Sequence, residues 1–214
     1  MRTRTEPPGI GEAEGFLPIL RADGTLTDVI ELTTARLLLR RWRPEDREPL
    51  ARINADPRVM EFFPAPLSRE ESDRQIERFE RHFDEHGLGM WAVERRDLPG
   101  CIGRMGLLLA AFPAPFTPCV EIGWMLAAEH WGLGLATEGA REVLRHGFAT
   151  LALDEIFSFT AVANARSRRV MEEIGLQHNP ADDFDHPNLP EGNPLRRHVL
   201  YRSKRQDWLR NSDR

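Results

Sequence analysis

Only two cysteines, Cys101 and Cys119, occur in 214 residues. That is too few to staple a disulfide scaffold, so the chain must rely on a buried apolar core, and its length is sufficient for one. No apolar run approaches the roughly 20 residues that a membrane-spanning helix needs. Positive charge is not in excess: 29 basic residues stand against 34 acidic ones, a net charge of -5, which removes any general electrostatic grip on nucleic acid or anionic lipid. Lysine is nearly missing, with Lys204 alone among the basic residues; arginine solubilises a surface equally well, so no function follows from that bias. There is one tyrosine, Tyr201. No segment near the amino terminus joins basic residues to an apolar stretch, and a reducing cytoplasm is the expected setting. What remains is an ordinary globular composition, 41% hydrophobic and 29% charged, sized for one domain.

Residues 1–30 carry Pro7, Pro8, Gly9, Gly11, Gly15, Pro18 and Gly24 without a sustained period and are expected to form an extension to a domain over 31–214. Leu37 to Leu39 read as a short buried strand. Pro44, Glu45 and Asp46 then open a helix that turns Leu50 and Ile53 inward. Ser68 and Glu71 form a capping box, after which Ile76, Phe79 and Phe83 recur at helical spacing until Gly87. Met90 to Arg95 and Cys101 to Leu109 read as a hairpin turning through Asp97-Leu98-Pro99-Gly100. A proline-bearing loop leads to a strand over Cys119 to Leu126. A helix over Thr137 to Thr150 follows, then a strand over Ile156 to Ala163 and a short helix over Arg166 to Ile174. An acidic loop, Asp182 to Asn193, precedes a strand around His198 to Arg202, and Ser203 with Gln206 suggests a second capping box. The order is a mixed α/β domain without internal repeats.

The chemistry-bearing segment is Trp131-Gly132-Leu133-Gly134-Leu135-Ala136-Thr137. Two glycines between a strand and a helix let backbone approach a ligand and aim unpaired N–H groups at it, with the helix dipole adding to the attraction for an anion. It is not a P-loop, having no lysine followed by serine or threonine, and Gly139 comes too late for a dinucleotide fingerprint. Alone, this spacing fits a plain turn before a helix as well as an anion cradle.

Its neighbours are Glu121-Ile122-Gly123-Trp124-Met125-Leu126 before it and Asn164-Ala165-Arg166-Ser167-Arg168-Arg169-Val170-Met171-Glu172-Glu173-Ile174-Gly175-Leu176 after it. With these three motifs in order, the chain resembles a GCN5-related N-acetyltransferase. More narrowly it is similar to the branch that acetylates amino termini of ribosomal proteins, whose chains open like Thr34 to Arg40 and Asp56 to Met60. The resemblance runs from about Glu31 to Trp208. It implies a mostly antiparallel central sheet, flanked by helices, that splays open beside its fourth strand, Cys119 to Leu126, to admit the pantetheine arm of acetyl-CoA. It also implies cofactor contacts by Met125, Leu126, the loop Trp131, Gly132, Leu133, Gly134, Leu135, Ala136 and Thr137, and by Asn164, Ser167 and Arg169. Trp131 stands where the family's pyrophosphate loop usually begins with arginine or glutamine, so the expected phosphate contacts there are backbone ones.

Direct attack by an amine on the thioester needs a base for the amine, donors for the developing oxyanion and an acid for the leaving thiolate. The resemblance implies Glu121 as base, backbone N–H groups near Met125 and Leu126 for the oxyanion, and Ser167 as acid. His186 and His198 are reserves for the base and Tyr201 for the acid. His82 and His86, four apart on a helix, lack a third ligand, so no metal is expected. They read as solvated helix residues. Trp91 and Trp124 read as core, and the acids of the 182–193 loop as an exposed rim. The expected partners are acetyl-CoA and an amine acceptor, either a protein amino terminus or a small amine, with no nucleic acid or membrane. A homodimer is left open. The rival reading is a non-catalytic acyl-CoA-binding module of the same fold.

Overall fold

The computed structural model describes residues 31–212; the extension expected over residues 1–30 lies outside them. In chain order the elements are β1 (Leu32–Thr33), β2 (Leu37–Arg40), α1 (Arg47–Ala55), α2 (Arg69–His86), β3 (Met90–Arg95), β4 (Leu98–Ala110), β5 (Cys119–Leu126), α3 (Leu135–Arg145), β6 (Glu155–Ala161), α4 (Ala165–Glu173), β7 (Gln177–His178), β8 (Phe184–Asp185), β9 (Arg197–Lys204) and α5 (Arg205–Ser212). The strands form one sheet in the order β1-β2-β3-β4-β5-β6-β9-β7, with β8 also on β9. Every pairing is antiparallel except that of β5 with β6. Among the described residues no helix is long and apolar enough to cross a membrane.

Each strand alternates its side chains between two apolar layers. Leu107, Leu109 and Ile122 pack with Leu135, Ala140 and Val143 of α3 on one face. Met90, Ala92, Leu108 and Met125 pack with Leu50 and Ile53 of α1 and Ile76 and Phe79 of α2 on the other. The capping box at α2 forms as its spacing predicts: Ser68 Oγ accepts the Glu71 N–H at 3.2 Å and Glu71 Oε2 accepts the Ser68 N–H at 2.7 Å. Gly87, at φ 70°, ends the helix in the left-handed conformation that glycine adopts without strain. Arg40, buried between Asp46 at 2.6 Å and Glu94 at 2.9 Å, ties β2 to the turn before α1.

Two local expectations differ from the structure. The hairpin turns at Arg96 and Asp97, because Arg95 already faces Leu98 in the ladder. β5 pairs with β4 only from Gly103 onward, so Pro99 sits where a missing N–H removes no β5 partner. Ser203 is not a helix cap either: it lies within β9, paired with Ile156. The helix begins two residues later, with the Arg205 N–H donating to Asp154 O at 2.9 Å.

Candidate active site

β5 and β6 share a single ladder position, Glu121 with Phe157, and Ser158 Oγ donates to Ile122 O at 2.9 Å just beyond it. From there the two strands part. Ile122 turns its carbonyl toward β6, and backbone alternation aims the peptide groups of Trp124 and Leu126 the same way, into the opening. Leu126 O accepts the indole N–H of Trp131 at 2.9 Å. The carbonyl of Met125 points instead toward β4, close enough that a Cβ on Gly103 would come within 2.1 Å of it. Of the two residues expected to lend backbone donors, Leu126 therefore faces the opening. Trp124 joins it, a position that only strand alternation in the folded sheet could assign.

The glycine loop closes the wide end. Gly132 and Gly134 both have φ +73°, a conformation costly for other residues, and a Cβ at Gly132 would meet nothing within 4 Å. Gly134 caps α3 without a side-chain acceptor. Among the described residues no protein acceptor meets the N–H groups from Gly132 to Thr137, so they and the α3 dipole form an anion-seeking cradle. Arg36 fixes this loop, a role the sequence did not suggest: its Nη1 donates to Leu133 O at 2.8 Å and its Nε to Glu138 at 2.6 Å. Leu135 is buried and anchors the helix start, whereas Leu133 is exposed. The Thr137 hydroxyl is tied to Glu173 at 2.7 Å. The Trp131 ring lies under the Arg166 guanidinium, 4.4 Å from its carbon.

Across the opening, Asn164 caps α4: its Oδ1 accepts the Ser167 N–H at 3.2 Å, and its Nδ2 donates to Ser167 Oγ at 3.1 Å and to Thr160 Oγ1 at 2.9 Å. Ser167 itself is half-buried and retains its own proton to donate. Arg169 projects from α4 with its side chain 80% exposed and pairs with Glu173 at 2.9 Å. Tyr201 is fully buried, donates to Glu172 at 2.9 Å and stacks on His178; its hydroxyl is tied within the protein.

Glu121, half-buried at the apex of the opening, has no side-chain hydrogen bond among the described residues. Burial pushes its carboxyl up to about 8, and the charge of Arg104 only partly opposes this. Its side chain shares the α1/α2 face with Gly123 and Met125, and with Leu108, Gly106 and Arg104 directly across on β4. Beside it the sheet carries an aromatic cluster in which Phe112, Phe159 and Phe184 surround His186 and His198, whose rings lie 5.0 Å apart. Burial holds His186 down at about 4 and also lowers His198.

The acids of the 182–193 loop have partners of their own: Asp182 with Arg202, Asp183 with His178 at 2.8 Å and Asp185 with Arg197 at 3.3 Å. His82 is not solvated. Its Nδ1 lies 2.7 Å from Leu88 O and its Nε2 accepts the Leu109 N–H at 3.2 Å, bridging α2 to the sheet. Among the described residues no group of three metal-binding side chains forms. Both cysteines are buried, with thiols pushed up to about 12 by burial, and offer no nucleophile. Trp91 is core, and Trp124 packs partly buried against it. A cavity of about 980 Å³ between α3 and α5, lined by Glu138, Arg141, Ile174 and Trp208 among others, contains neither Glu121 nor Ser167.

A family model described as an acetyltransferase (GNAT) domain matches residues 36–177. FsC-acetyl coenzyme A-N(2)-transacetylase of Aspergillus fumigatus is 31% identical over 189 residues, covering 84% of this chain and 78% of its own. Two solved structures share the fold. Spermidine N-acetyltransferase from Vibrio cholerae, in complex with CoA and spermine, has a TM-score of 0.65 at 21% identity and covers 82% of this chain and 99% of its own. RimL, a ribosomal L7/L12 alpha-N-protein acetyltransferase in complex with coenzyme A, has a TM-score of 0.67 at 14% identity and covers 82% of this chain and 98% of its own. The open sheet, the glycine cradle at its wide end and the matched domain agree, and the chain belongs to the GNAT acetyltransferase family.

Proposed function

We propose that the protein transfers the acetyl group of acetyl-CoA to a primary amine by direct attack. The observation that carries this reading is the opening between β5 and β6, which has free backbone donors at its wide end and an unpartnered carboxyl, Glu121, at its apex. The N–H groups from Gly132 to Thr137 hold the pyrophosphate. The peptide N–H groups of Trp124 and Leu126 face the thioester and stabilise negative charge on its carbonyl oxygen. Glu121 takes the proton that the amine loses, directly or through water, because a carboxyl that ionises near pH 8 is basic enough to accept it once ionised. Ser167 passes a proton to the thiolate as the carbon–sulfur bond breaks and is reprotonated at the same time from solvent, to which Glu121 returns the proton it took from the amine, so the nitrogen ends acetylated, the thiol neutral and both side chains in their starting states.

The exposed Arg169 and the enclosed Tyr201 have lesser claims on the cofactor, since each already holds a partner. Calorimetric titration with acetyl-CoA, coupled to thiol release over a panel of amines, tests the reading. Binding with turnover of at least one amine supports it. Binding without turnover of any amine makes the chain an acyl-CoA-binding module, and no binding overturns the cradle as well.

A further inference from the structure

Arg104 is 9% exposed, and among the described residues no carboxylate hydrogen-bonds it, although the charge of Glu121 acts on it through space. Its Nε has no partner at all, and its Nη2 reaches only the sulfur of Met125 at 4.0 Å. The rings of Phe79 and Phe63 flank the guanidinium, with centroids 5.4 and 6.0 Å away. Arg78, on α2 beside it, likewise has a buried Nε without a partner, and its charge adds to that of Arg104. This is unusual within the molecule: Arg40 is buried as deeply and is met by Asp46 and Glu94. The charge of Glu121 reaches Arg104 only through space; a buried guanidinium that no carboxylate hydrogen-bonds is unfavourable, and its planar fork suits an incoming carboxylate.

Position gives that carboxylate a purpose. Arg104 extends from the same sheet face as Glu121, and Glu121 lies opposite Leu108, four strand positions away, about 13 Å along the sheet. A long arginine side chain shortens that span. Phe63, whose ring covers Arg104, is itself exposed, so the site borders solvent.

We infer that the acceptor is an amine that also carries a carboxylate, with Arg104 clamping the carboxylate, Arg78 reinforcing the field, and the amine presented to Glu121. The inference rests on the proposed transferase reading and narrows its substrate class. A polyamine, cationic throughout, is repelled by the same pair of guanidinium groups.

The probes are ω-amino acids of increasing length, from glycine through β-alanine and 4-aminobutyrate to 6-aminohexanoate, each beside its carboxamide, with spermidine as the cationic control. Rates are taken at pH 9, above the ionisation of Glu121 in the parent; any effect of losing the Arg104 charge through that carboxyl falls on acid and amide alike, so the acid-to-amide ratio is what is read. In the parent, the best-spaced acid should show a KM at least about tenfold below that of its amide. Arg104→Gln should raise the KM of the acid by about tenfold or more and that of the amide by less than about threefold. Arg104→Lys, which keeps the charge, should fall between. Equal use of acid and amide along the whole ladder by the parent, or preference for spermidine, overturns the inference while leaving the transferase intact. Calorimetry of the same amines with the CoA-bound protein separates the two claims: acid-selective binding that Arg104→Gln abolishes supports the carboxylate site even if no acetyl transfer occurs, and unselective binding rejects it.

Discussion

Asn164 grips Ser167 twice, accepting its backbone N–H at 3.2 Å and donating to its hydroxyl oxygen at 3.1 Å. The serine oxygen is thereby held as an acceptor, and its own proton remains available to donate elsewhere. Ser167→Ala should lower turnover by about 10- to 100-fold with little change in acetyl-CoA affinity. A thioester with a far more acidic thiol should recover most of the loss; an equal deficit with that substrate counts against proton donation. Asn164→Ala should in addition cost about 1 kcal/mol of stability, because it removes the α4 cap, readable in a urea titration.

Glu121→Gln keeps shape and removes basicity. The parent's kcat/KM should rise through a limb near pH 8, where burial has placed the carboxyl, and the variant should lose that limb together with about 10²–10⁴-fold in kcat. An unchanged profile makes Glu121 structural and moves the search for a base to His186 and His198, although burial lowers both. Stability should respond with the opposite sense. The folded state holds the Glu121 proton up to about 8, whereas an unfolded chain releases it near 4.5, so stability falls as pH rises between those values. Glu121→Gln should therefore gain on the parent by on the order of 1–3 kcal/mol at pH 9, and not at pH 4.

Gly134→Val should abolish acetyl-CoA binding in a folded protein. The position has φ +73°, which a β-branched residue does not adopt without strain, and the peptide must move where phosphate is to approach. Arg36→Ala, which frees the Leu133 carbonyl and Glu138, should weaken binding by about tenfold while leaving the cradle's own sequence intact. Wild-type affinity in both variants, measured by calorimetry, would remove the loop from the cofactor site.

Acid should unfold the protein partly through His82. Only the neutral ring can donate to Leu88 O and accept from Leu109 N–H at once, and burial holds its pKa down at about 4. The stabilisation is complete above the ordinary value of 6.5 and is lost as pH falls through 4. His82→Phe should cost about 1–3 kcal/mol at pH 7.5 and show a shallower fall in Tm between pH 6.5 and 4. A parallel fall in parent and variant would assign the acid transition to other imidazoles, such as His146, also held near 4 by burial.

The sequence by itself determined the order of the elements, the α2 cap at Ser68 and Glu71, the stop at Gly87 and the glycine loop before α3. Each of these depends on residues within a few positions of one another, through capping geometry, glycine φ and apolar period. It also placed Glu121, Asn164 and Ser167 in motifs, since motif spacing is a local property. The Ser203 cap and the Asp97 to Gly100 turn were misread because strand pairing with β6 and β3 decides those backbone positions, and pairing joins residues distant in the chain. Tertiary structure alone decided that Trp124 rather than Met125 turns its peptide into the opening, that Arg36 pins the loop from the far edge of the sheet, that His82 is a strut, and that Arg104 is buried with no carboxylate hydrogen-bonded to it among the described residues. Burial and partnership are sums over neighbours brought together by packing, and no window of sequence contains them.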